Sequence, residues 1–151
     1  MEKKMKKLSL VLLLWLCACC LVFGQVSSTK RKLFTEALGT VGKRPPSGWV
    51  KYNGSYWKSR DISYGKEYML VNVNGRNVVE QAHVGCFFAN TRAQTRWLKE
   101  SYDTLVADRW ELILDDDDGT WVFMKGNILA TGVAEETDGT PVAAVVFQLR
   151  N

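Results

Sequence analysis

The sequence predicts an α+β fold, a mainly antiparallel sheet packed with one long and one short helix. Three observations predict it. Two Asn-Gly pairs stand between runs of strand-forming residues, residues 91–107 switch to a spacing of three and four, and the chain then returns to short alternating runs. The expected architecture is two Asn-Gly hairpins, the long helix, and a four-strand meander.

The first 24 residues are of another kind. Lys3, Lys4, Lys6 and Lys7 precede a mostly apolar run from Leu8 to Phe23, and Val22-Phe23-Gly24 offers modest side chains for cleavage. This is the pattern of a bacterial-style secretory signal. The run is short for a permanent membrane span, which needs about 20 residues. Membrane attachment is expected only through this leader, if it stays uncleaved or if Cys19 is acylated after Leu16-Cys17-Ala18. The chain thus divides into a signal peptide over 1–24, a basic segment over 25–48, and one α+β domain over 49–151.

Within the basic segment, Leu33, Phe34, Ala37, Leu38 and Val41 fall at helical spacing, with Ser27 or Ser28 as a candidate N-cap. Pro45-Pro46 then makes a rigid break. So short a helix is marginal alone and must dock on the body or fray. The pair Asn53-Gly54 joins Trp49–Tyr52 to Ser55–Ser59, and Asn74-Gly75 joins Glu67–Val73 to Arg76–Phe88. Two-residue hairpin loops need positive φ at both positions, which Asn-Gly adopts at least steric cost. Asn53-Gly54-Ser55 also has the form of an N-glycosylation acceptor, read here as turn chemistry first because the leader looks bacterial.

Thr91 and Gln94 have capping-box spacing. Ala93, Trp97, Leu98, Tyr102, Leu105 and Val106 follow along one face of the expected helix. Strands are then expected at Arg109–Leu114, Thr120–Lys125, Asn127–Val133 and Val142–Leu149. The last is apolar on both faces, so it belongs centrally, with helix covering one side.

Charge narrows the function. Of 20 Lys and Arg, four lie in the leader against one acid, so the remainder carries 16 basic and 15 acidic residues, a net of +1. Nucleic-acid binding by bulk charge is not expected. Only Cys86 lies beyond the leader, which leaves no intramolecular disulfide for the exported chain. Residues 25–60 have a net charge of +7 and residues 61–151 a net of −6. Either the basic part folds back on the acidic one or the two surfaces meet different partners.

Catalytic signals are few. His83 and Cys86 are three apart on a strand, hence on opposite faces unless a bulge intervenes. No glycine-rich phosphate loop, Gly-x-Ser-x-Gly elbow or paired-histidine zinc motif occurs. Asp115–Asp118 fails the EF-hand spacing before Gly119. Meander geometry nevertheless predicts an acidic pole that gathers it with Glu135, Glu136 and Asp138. No catalytic residue, metal ligand or cofactor is assigned.

The first hairpin is the expected binding site. Cross-strand pairing places Trp49, Lys51, Tyr56 and Lys58 on one face and Val50, Tyr52 and Trp57 on the other. If the second set turns to the core, rings with adjacent cations face outward, suited to sugars, anionic glycans or peptide. The expectation is therefore an exported, non-enzymatic domain of the periplasm, cell envelope or medium, binding an envelope glycan or a protein partner. A small secreted hydrolase and a structural envelope protein are the alternatives, and a lipid-anchored envelope protein is the alternative location.

Overall fold

A computed structural model of the protein describes residues 29–62 and 65–150. The leader, Cys19, Ser27 and Ser28 lie outside the described residues. Residues 29–38 form helix α1. The strands β1 (Val50–Tyr52), β2 (Ser55–Ile62), β3 (Gly65–Val73) and β4 (Val79–Phe88) follow. Helix α2 (Thr91–Ala107) precedes β5 (Glu111–Asp115), β6 (Trp121–Lys125), β7 (Ile128–Thr137) and β8 (Thr140–Leu149).

The strands make one eight-stranded sheet in the order β1-β2-β3-β4-β8-β7-β6-β5, with every pairing antiparallel. Each helix is thus followed by four strands, and the last strand of each set meets the other at the centre. The sequence carries no internal repeat, yet the architecture does.

Both helices lie on the same face. Phe34 of α1 meets Phe147 edge-on at 5.2 Å, Trp97 of α2 meets Phe88 at 6.1 Å, and Tyr102 meets Phe123 at 5.0 Å. Val84, Phe123, Val145 and Phe147 are wholly buried beneath them. The apolar faces of the two helices are what this side of the sheet needs to leave water. An ion pair between Arg31 and Asp108 at 2.6 Å ties α1 to the end of α2.

Four local expectations are corrected. The α2 N-cap is Asn90, whose side chain accepts from the Ala93 amide, so Thr91 and Gln94 form no capping box. Gln94 is drawn inward instead, donating to the carbonyls of Glu135 and Val142 at 2.9 and 2.7 Å. The buried face of α2 also includes Ser101 and Thr104, while Val106 is exposed. Both hydroxyls donate to backbone carbonyls one turn back, which lets them sit in the core.

The loop at Asn74-Gly75 is longer than two residues, because Val73 pairs with Val79. Asn74 Oδ1 accepts from the amides of Arg76 and Val78, and Asn77, not Gly75, takes positive φ. By contrast, β1 and β2 pair Tyr52 with Ser55, and Asn53 and Gly54 both have positive φ.

The acidic turns do not form one pole. Trp121 pairs with Gly132, but β7 and β8 run on to the Thr137–Thr140 pair. Five further residues carry that turn about 17 Å past the other. Among the described residues, no group of three or more His, Cys, Asp or Glu could hold a metal ion.

Candidate functional site

The hairpin β1–β2 faces the opposite way from the sequence expectation. Tyr56 pairs with Val71 and Lys58 with Met69, both buried under the helices, so Trp49, Lys51, Tyr56 and Lys58 stand on the helix side. Trp49 and Tyr56 pack against the core. Lys58 Nζ lies 5.2 Å from the Trp49 ring and Lys51 Nζ 5.6 Å from that of Tyr56. Lys58 is also held by Glu36 of α1. The four residues do come together, but the lysines lie beside the rings, and the rings pack against the core rather than standing free. Val50 and Tyr52, expected in the core, are 56% and 67% exposed.

No described helix packs on the other face of the sheet. Strand register aligns its side chains in rows across the strands. One row runs from Tyr52 through Ser55, Asn72 and Gln81 to Gln148. The next runs from Val50 through Trp57, Leu70 and His83 to Val146. With neighbouring strands about 4.8 Å apart, each row covers about 19 Å.

The first row is hydrogen-bonded in one direction. Ser55 Oγ donates to Asn72 Oδ1 at 2.6 Å, Asn72 Nδ2 to Gln81 Oε1 at 3.2 Å, and Gln81 Nε2 to Gln148 Oε1 at 2.9 Å. Such a chain polarises its members cooperatively. His83 Nε2 joins it, 3.3 Å from Asn72 Nδ2. Burial lowers the His83 pKa from its ordinary value, against a smaller upward pull from Glu135, so the ring is neutral near pH 7. The row therefore presents uncharged donors and acceptors between apolar and aromatic side chains.

A third position on this face is shaped by glycine. Tyr68 lies across Gly85, where an added Cβ would stand 2.4 Å from the ring, and its centroid is 5.3 Å from that of Phe87. Burial, with Glu135 and Cys86 adding to it, pushes the Tyr68 phenol up to about 12.

Cys86 points to the helix side, where its thiol donates to the Phe87 carbonyl at 3.5 Å. Burial first, then Glu67, raises its pKa to about 11, so it holds its proton at neutral pH. His83 is on the far side of the sheet and offers it no base.

The amide row escaped the sequence reading because its members are far apart in the chain. Alternation does put Gln81 and His83 together on one face of β4. What aligns them with Asn72 and Gln148 is strand order, and that is decided by long-range pairing.

Comparison with family models, with curated proteins and with solved structures finds no match to this chain.

Proposed function

We propose that the protein is an exported, non-enzymatic binding domain of the periplasm or cell envelope, and that its ligand is a neutral oligosaccharide held across the open sheet face. One observation carries this reading: the row Tyr52–Ser55–Asn72–Gln81–Gln148, uncharged and hydrogen-bonded, with an exposed ring at its end. Side-chain amides supply donor and acceptor together, as sugar hydroxyls require. Aromatic rings beside them cover the C–H faces of a pyranose. Charged partners are served poorly, since His83 is neutral and the row holds no ionised group. The helix-side hairpin face is the weaker candidate, because its rings are already occupied.

The test is a thermal melt of the protein, read by tryptophan fluorescence, against neutral and anionic oligosaccharides. A ligand at 100 times its Kd stabilises the native state by about 2.7 kcal/mol. Neutral chains should raise the midpoint and monosaccharides should not. Gln81→Ala and Tyr52→Ala should remove the rise, while Lys51→Ala should keep it. A response to anionic glycans alone, abolished by Lys51→Ala, would return the site to the hairpin. No response to any glycan overturns the proposal.

A further inference from the structure

We propose that the oligosaccharide lies along an oblique stripe of four aromatic rings on the open face, and that it is a straight, all-equatorial chain of the cellulose or chitin type. This inference rests on the oligosaccharide reading and names the kind of chain. Strand register sets the stripe. Tyr52 pairs with Ser55, and Trp57 stands two residues along β2 from Ser55. Trp57 pairs with Leu70, and Tyr68 stands two residues along β3 from Leu70. Tyr68 pairs with Gly85, and Phe87 stands two residues along β4 from Gly85. Each ring is therefore one strand across and two residues along from the one before, on the face away from the helices. Diagonal neighbours of this kind are about 7–8 Å apart, so the four rings cover about 22 Å.

The rings are open to a ligand. Tyr52 and Phe87 are exposed, and Trp57 and Tyr68 are half-buried. The backbone of Gly85 lies directly beneath Tyr68, where an added Cβ would stand 2.4 Å from both Cζ and Oη and 2.7 Å from Cε1. Ring atoms that close to one point lay the ring flat on the strand, with its outer face to solvent. A side chain at Gly85 would prop the ring upright. Phe87 continues the platform, its centroid 5.3 Å from that of Tyr68 at an interplanar angle of 43°.

Charge and shape choose the occupant. Among the described residues, the ionised side chains that border the stripe through strand pairing on this face are Asp61 and Lys66. They are satisfied by each other at 3.7 Å. Neither is left for a charged ligand, and Glu135 stands two strands beyond Phe87. The stripe is straight, so a coiled glycan of the starch type meets only part of it. An all-equatorial chain is a ribbon whose sugar rings turn their C–H faces up and down and their hydroxyls sideways. Such faces stack on aromatic rings. Ser55 and Asn72 flank the ribbon beside Tyr52 and Trp57, and the Asn72 amide offers those hydroxyls donor and acceptor together.

Isothermal titration calorimetry of the purified protein with cellohexaose, chitohexaose and maltohexaose tests this. At least one of the first two should bind, tighter than maltohexaose and tighter than its own disaccharide. Tyr68→Leu and Phe87→Ala should each weaken that binding about tenfold, one stacked ring being lost in each. Tyr68→Phe, which keeps the ring, should bind as the parent does. Far-UV circular dichroism of all three variants should match the parent, which separates lost stacking from lost fold. Hexasaccharide binding that survives Tyr68→Leu and Phe87→Ala but not Gln81→Ala overturns the stripe while the oligosaccharide reading stands. Maltohexaose binding as tightly as the other two overturns the straight-chain class. Silence with every neutral glycan overturns the inference and the reading together.

Discussion

The Nζ of Lys30 lies 3.8 Å from the centroid of the Trp97 ring, and neither that ammonium nor the Trp97 indole N–H has a hydrogen-bond partner among the described residues. Lys30 is 5% exposed. Burial lowers its pKa to about 8 despite the opposing pull of Glu100 and Glu67. The unfolded chain, with the ordinary value of 10.5, binds more protons between those two values, so stability rises with pH across that window.

Below about pH 8 the protein therefore carries a cost for keeping Lys30 charged, on the order of 3 kcal/mol at most. Lys30→Met should raise stability at pH 7 by about 2 kcal/mol, part of the gain being offset by the lost cation–π contact. It should also flatten the rise between pH 8 and 10. Urea titrations at pH 7, 8.5 and 10 would show both effects. A substitution that destabilises at pH 7 contradicts the assignment.

His83 gives an acid limb with the same sign of slope. Its folded pKa is lowered, so the unfolded state takes up protons first as pH falls below 6.5. Stability is retained above that value and declines below it, by up to about 1.4 kcal/mol per pH unit. His83→Gln should make the thermal midpoint insensitive between pH 7 and 5.5, over and above the carboxylate background shared with the parent.

Two glycines should answer differently to the same change. At Gly132 an added Cβ would stand 2.1 Å from the Trp121 ring, which is buried beside Phe123 and Tyr102. Gly132→Ala should cost about 3 kcal/mol by overpacking. Tyr68, over Gly85, stands on the open face and can swing outward. Gly85→Ala should cost about 1 kcal/mol. It should also bring the phenol down from about 12 towards its ordinary value of 10.0, as an ultraviolet pH titration would record.

Gln94 holds α2 to the turn-bearing ends of β7 and β8 with two side-chain hydrogen bonds. Gln94→Leu leaves both carbonyls without that donor and should cost about 2 kcal/mol. Gln94→Glu should cost more above pH 6, where a carboxylate would face two carbonyl oxygens. Recovery of the Glu variant on mild acidification, followed by hydrogen exchange at β7 and β8, would check the cause.

The legibility of this chain follows contact range. Period three-and-four spacing found α2, because Trp97, Leu98 and Leu105 pack through their own helix face. The two-sided apolar character of Val142–Leu149 pointed to a central strand, where β8 does lie. The faces of β1–β2 were read in reverse because they depend on where α1 lands. Apolar content favoured burying Val50, Tyr52 and Trp57; the docked α1 instead supplies Glu36 to Lys58. Nothing local to the hairpin records that contact.

The central position of β8 also sets the order in which this chain can be built. Without β8, the strand order leaves α1–β4 and α2–β7 as two separate sets of strands. Strands β4 and β7 then have no partner across the gap. The final strand must insert between edges laid down earlier, and its contacts with β4 reach back some 60 residues. Closure of the sheet therefore waits on β8, because no other described strand joins the half that ends in β4 to the half that ends in β7.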